Sequence, residues 1–207
     1  MQKYEAKTLD DAIAKAATDK NVSTEEIKYY VVEEKQGGLF GIGNKVVIEA
    51  YTWNDVRDFL EDYLKQYFDN INMPVEIIVT QNEDNSFKVV INAENNAILI
   101  GKNGQTLEAL RTVTNSAANA QFKCRVYMNM DINGYKEEHN EKLKSTVEKI
   151  AKTVQKTHVS ARLGDLTSEE RKIVHQHLST IPYIRTESEG DGPNRRLKII
   201  YDKNKKA

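Results

Sequence analysis

The chain has 207 residues, with 30 basic and 31 acidic side chains, four histidines and a single cysteine. Its mean hydropathy is −0.64, and no run approaches the roughly 20 apolar residues of a membrane span, so a direct membrane span is excluded. One cysteine forbids an internal disulfide, and with so few histidines neither a zinc site nor any other cofactor is expected.

The N-terminus lacks a signal-peptide pattern, and a reducing cytoplasm is the expected location. The length permits one large domain or two to three small ones. Residues 1–52 carry 7 basic and 9 acidic side chains, residues 53–133 carry 7 and 11, and residues 134–207 carry 16 and 11. A nucleic-acid partner would lean on the last third, although an uneven scatter of solvated charge explains the bias equally well.

Residues 1–52 read as a β-α-β-β unit. Gln2–Ala6 is a strand, and Thr8 with Asp11 opens a helix to Lys20. Tyr29–Val32 and Lys45–Tyr51 are strands by β-propensity. Between them lies Gly37-Gly38-Leu39-Phe40-Gly41-Ile42-Gly43, whose non-glycine members are apolar where turns normally place polar residues. A nucleotide loop is disfavoured, because no Lys-Ser/Thr and no long helix follow. Two readings remain: a hairpin tip tucked against its own domain, or an exposed tip where Leu39, Phe40 and Ile42 dock a partner protein.

Residues 53–133 open with a helix over 54–70, on which Val56, Phe59, Leu60, Tyr63, Leu64, Tyr67 and Phe68 form a core-facing stripe. Strands are expected at 75–80 and 87–93, then a short helix at 95–100. A helix over 105–120 should turn Leu107, Leu110, Val113 and Ala117 inward, before a strand at 123–131. Between the last two helices stands Gly101-Lys102-Asn103-Gly104. Its glycines let the backbone turn tightly against a ligand. The helix start behind it favours an anion, and Lys102 adds a mobile positive charge.

Helix, strand, strand, helix, Gly-x-x-Gly, helix, strand resembles a type II K-homology (KH) domain. The resemblance implies that Gly101, Lys102, Asn103 and Gly104 clamp the backbone of single-stranded RNA. Ile98, Ile100 and Leu107 would then help to floor a groove for its bases. Asn103 stands where the family often has a second basic residue.

Residues 134–207 begin with a long helix over 135–158, with Leu143, Val147, Ile150 and Val154 at near-heptad spacing. Thr167-Ser168-Glu169-Glu170 is a capping box for a helix running to about Ile181. Arg171 and His175, four residues apart, share a face of it. Strands at 183–188 and 195–201 follow. This segment resembles the R-three-H domain, named for Arg-x-x-x-His, which implies that Arg171 and His175 contact single-stranded nucleic acid. Arg162, Lys172, Arg195 and Arg196 could widen the basic surface.

With the Gly38-Leu39-Phe40-Gly41-Ile42-Gly43 run in front, the whole chain resembles the Jag/KhpB family. An α+β protein of three small domains is therefore expected: a Jag N-terminal domain at 1–52, a type II KH domain at 53–133, and a linking helix with the R-three-H domain at 134–207. The resemblance implies a cytoplasmic bacterial RNA-binding regulator linked to cell elongation and division. It also implies a small single-KH partner, and leaves open single-stranded DNA as a ligand and a membrane-associated partner for the N-terminal domain. No catalytic residue is expected. The competing reading, a metal-dependent nuclease built on Asp165, Glu169, Glu170 and His175, is weakened because the two glutamates are explained by the helix start.

Overall fold

Three threonines set where the main helices begin. Thr8, Thr52 and Thr167 each have extended backbone and accept a hydrogen bond from the amide three residues on. At Thr52 and Thr167 an acid returns the bond, Asp55 at 2.6 Å and Glu170 at 2.6 Å, so both boxes close. A computed structural model describes residues 1–35 and 44–205. They form two compact units, Met1–Asn133 and Gly134–Ala207.

In the first unit, β1 (Gln2–Ala6), α1 (Leu9–Lys20), β2 (Lys28–Lys35) and β3 (Lys45–Tyr51) build an antiparallel sheet of order β1-β3-β2. Ala12, Ala16 and Ala17 bring α1 close to Tyr4, Val46, Ile48 and Ala50. Then come α2 (Trp53–Asn70), β4 (Val75–Gln81), β5 (Phe87–Ala93), α3 (Asn96–Ile100), α4 (Gln105–Phe122) and β6 (Met128–Ile132). The second sheet pairs β4 with β5 antiparallel and β5 with β6 parallel. Val56, Leu60, Leu64 and Phe68 of α2 are buried, as the stripe requires, and each such side chain contributes about 1.5–3 kcal/mol. Tyr67, expected on that stripe, lies at its exposed margin.

No linker separates these two parts, because Thr52 ends one and caps the helix of the next. Lys20 reaches Asp55 at 2.8 Å, Lys123 reaches Glu49 at 3.0 Å, and the Tyr51 ring lies 5.1 Å from that of Phe122. Burial alone would raise the Asp55 carboxyl pKa, but Lys20 and the Thr52 amide and hydroxyl hold it below the usual value.

Two expectations for α4 and its successor are corrected. Val113 is exposed, and Thr114 takes the inward place beside Leu107, Leu110, Ala118 and Phe122. Hydrophobicity pointed to the valine, but the spacing set by Leu110, Ala118 and Phe122 selects the threonine, whose buried hydroxyl finds no protein partner among the described residues. The strand expected from 123 begins only at Met128, because Lys123 is left-handed (φ 49°) and the Val126 amide is held by Asn119 at 2.7 Å.

The second unit contains α5 (Tyr135–Thr157), β7 (Ala161–Arg162), α6 (Ser168–Ser179), β8 (Ile184–Glu189) and β9 (Arg196–Tyr201), with sheet order β7-β9-β8. Val147, Ala151 and Val154 of α5 meet Val174 and Leu178 of α6 and Ile184, Leu197 and Ile199 of the sheet. Leu143 and Ile150 lie at the margin of this core, so the near-heptad run seats α5 on its own domain. The two-residue strand β7 has no counterpart in the sequence reading. Leu39, Phe40 and Ile42 lie outside the described residues.

Candidate nucleic-acid interface

The bend after α3 is built from backbone conformations that few residues adopt. Gly101 has φ 71° and ψ −175°, a region open in practice to glycine alone. A Cβ there would stand 2.1 Å from Thr106 Oγ1 and 2.9 Å from Thr106 Cβ. Asn103 (φ 52°, ψ 33°) and Gly104 (φ 75°, ψ 10°) are left-handed, a region asparagine tolerates better than most residues. The Gly101 amide donates to Ala97 O at 2.9 Å, closing α3. The chain thus bends tightly within four residues, and the 18-residue α4 starts at once with its first-turn amides beside the bend. Lys102 and Asn103 are exposed, and Lys102 forms no salt bridge among the described residues.

The apolar residues around the bend divide in two. Ile100 is 8 % exposed and Leu107 2 %, so both point into the core and support the bend from beneath rather than flooring a groove. The exposed ones are Ile98, at 63 %, and Val113, at 54 %. Thr106, Ala109 and Val113 recur at three- and four-residue spacing, an exposed stripe along α4 that starts against Gly101. Leu107 and Leu110 are buried as expected, but Val113, expected inward, is on this exposed stripe, and Ala109 carried no signal beyond its spacing from Val113.

On α6, Arg171 is half-buried and His175 exposed, and each has a support that the sequence did not show. Arg171 Nη1 donates to Leu166 O at 2.6 Å, and Nη2 to Ser168 Oγ at 2.8 Å. Two of its five N–H donors are thereby used, and the guanidinium is held in one orientation. His175 Nδ1 lies 2.6 Å from Thr186 Oγ1 on the edge strand β8, which leaves Nε2 on the far side of an exposed ring. Among the flanking cations, Arg162 pairs with Glu189 at 2.9 Å and Arg196 pairs with Asp165, while Lys172 and Arg195 are exposed.

Three of the four residues of the nuclease reading face different partners. Asp165 faces Arg196, His175 faces Thr186, and Glu170 faces His139 Nε2 at 2.7 Å while capping α6. Burial by itself would raise the Glu170 carboxyl pKa, but His139 and the Thr167 amide and hydroxyl together hold it below the usual glutamate value. A depressed carboxyl stabilises the fold above the unfolded pKa of about 4.3 and loses that contribution as pH falls through the folded value. The Gly134–Ala207 unit should therefore weaken below about pH 4. Glu170→Gln should reduce the steepness of that loss in thermal unfolding scans between pH 6 and 3.

Comparison with known proteins bears on all three parts of the chain. Family models match in series: the Jag N-terminus at residues 4–52, the KhpA/KhpB KH domain at residues 57–130, and the R-three-H domain at residues 141–201. The RNA-binding protein KhpB of Clostridium symbiosum is 32% identical over 196 residues, covering 94% of this chain and 88% of its own. The RNA-binding protein KhpB of Bacillus subtilis is 31% identical over 202 residues, covering 94% and 95%. The protein of that name from Streptococcus pneumoniae is 26% identical over 137 residues, covering 66% of this chain and 42% of its own.

Proposed function

The chain belongs to the KhpB family, and we propose that it is a non-enzymatic RNA-binding protein with two grips on single-stranded RNA. The first is the Gly101–Gly104 bend, where Lys102 and the start of α4 meet phosphate and Ile98 with the Thr106–Val113 stripe meets bases. The second is Arg171 with His175, whose supports hold a guanidinium and a ring nitrogen outward. The observation that carries this reading is the bend itself. A glycine-only conformation is kept at a solvent-facing turn, and the lysine on its tip has no salt bridge among the described residues; a simple helix connection needs neither.

Tethering allows each grip to be weak. Once one is engaged, the other binds intramolecularly, which raises avidity by about 10²–10⁴. Family resemblance extends the proposal to a small single-KH partner, a cytoplasmic RNA pool, and a role in cell elongation and division.

Fluorescence anisotropy of a labelled single-stranded RNA pool, titrated across salt, tests the reading. Engagement of two to four phosphates gives a log–log slope of about −1.4 to −2.8, at roughly −0.7 per phosphate. No binding, or binding indifferent to salt, overturns it.

A further inference from the structure

The end of the second unit away from the start of α6 carries three near-parallel rings that the two grips do not use. His158 lies on Tyr201 with centroids 3.8 Å apart and planes at 16°. Tyr183 lies 6.2 Å from Tyr201 with planes at 23°. Tyr201 closes β9 and is half-buried against the core, whereas His158 is exposed and Tyr183 is 42 % exposed.

Both outer rings sit on left-handed backbone, at φ 59° for His158 and φ 61° for Tyr183. For His158 this is the usual left-handed C-cap of a helix, a conformation histidine tolerates, whereas for the bulky Tyr183 it is an outlier that persists only where the surroundings hold it. Here the surroundings are visible. The His158 amide donates to Val154 O at 2.8 Å, which ends α5. The Tyr183 amide donates to Lys205 O at 2.9 Å, and its carbonyl accepts from the Asp202 amide at 2.8 Å. Gln155 Nε2 donates to Pro182 O at 2.7 Å, tying the end of α5 to the turn that carries Tyr183. Exposed Lys156 and Lys203 each lie two residues from a ring of the stack.

The stack also lies within reach of the second grip. Thr186, which holds His175, lies three residues from Tyr183 on the same chain segment, a span of about 10 Å in extended backbone.

We propose that His158, Tyr201 and Tyr183 form an aromatic shelf that stacks an unpaired base of a single RNA strand whose phosphates are held at Arg171 and His175. The inference rests on the RNA-binding reading above and adds a base-contacting surface to its second grip. Stacking accepts any base, because every base has a π-face, so this surface contributes affinity rather than sequence choice.

The test uses the full chain and a labelled oligouridylate by anisotropy. Tyr183→Ala should weaken binding roughly five- to thirtyfold while the salt slope stays at the wild-type value, since no phosphate contact is lost. Tyr183→Phe, which keeps the ring, should bind like wild type. His158→Gly suits the left-handed backbone, so it should weaken binding without lowering the unfolding midpoint. If wild type binds and Tyr183→Ala and His158→Gly bind equally well, the shelf is refuted and the two grips stand. If wild type does not bind any single-stranded RNA, the reading beneath the shelf is refuted as well.

Discussion

Lys102→Asp combined with Asn103→Asp should lower affinity for single-stranded RNA by about thirtyfold or more and leave the unfolding midpoint of the chain unchanged. Both side chains are exposed at the tip of the bend, and no salt bridge of Lys102 is lost among the described residues. Aspartate tolerates the left-handed conformation of residue 103 nearly as well as asparagine does. The fold therefore has no reason to respond. A phosphate on the bend meets two carboxylates instead of an ammonium and an amide, and a charge-assisted bond is worth about 1.5–3 kcal/mol before repulsion is added. At 1.4 kcal/mol per tenfold, that loss alone is about 10- to 150-fold. The residual binding is that of Arg171 and His175, so adding Arg171→Ala should remove most of the remainder. Unchanged affinity in the double aspartate variant would displace the site from this bend.

Gly101→Ala should act in the opposite manner, through the fold. Its Cβ would lie 2.1 Å from Thr106 Oγ1 and 2.9 Å from Thr106 Cβ. Rotating the hydroxyl relieves the first contact only. The second requires the first turn of α4 to move, and the glycine-only dihedral adds about 1–3 kcal/mol. The Met1–Asn133 unit should lose roughly 2–3 kcal/mol in denaturant unfolding, with RNA affinity falling as the bend opens. Gly101→Ala with Thr106→Gly removes both side-chain contacts and should recover part of the stability, leaving the dihedral cost. If Gly101→Ala is as stable as wild type, residue 101 does not hold the conformation described.

The value of these two experiments lies in their contrast. One variant changes charge on an intact scaffold, and the other changes the scaffold beneath an unaltered charge. A site that depends on a rigid, solvent-facing bend must respond to both, whereas a site that merely needs positive charge nearby responds only to the first.

Local order along this chain was legible because it is set by neighbours in sequence. Thr8 and Thr167 marked helix starts within a residue, since a capping hydroxyl reaches only the amides two or three places ahead. Gly101-Lys102-Asn103-Gly104 announced a tight bend for the same reason, and Arg171 with His175 shared a face by helix geometry alone. Tertiary structure decided what no local rule carries. It buried the polar Thr114 and left Val113 exposed, against the order of their hydrophobicity. It sank Ile100 under the bend and left Ile98 to solvent. It brought Thr186 to His175, His139 to Glu170, and Tyr183 and His158 to Tyr201. These partners lie 11 to 43 residues apart, and only the packing of helices and the pairing of strands bring them within contact distance. Sequence spacing determines which backbone groups can meet along one helix or turn; which side chains meet across elements depends on strand register and helix rotation, and those are set by the whole core at once.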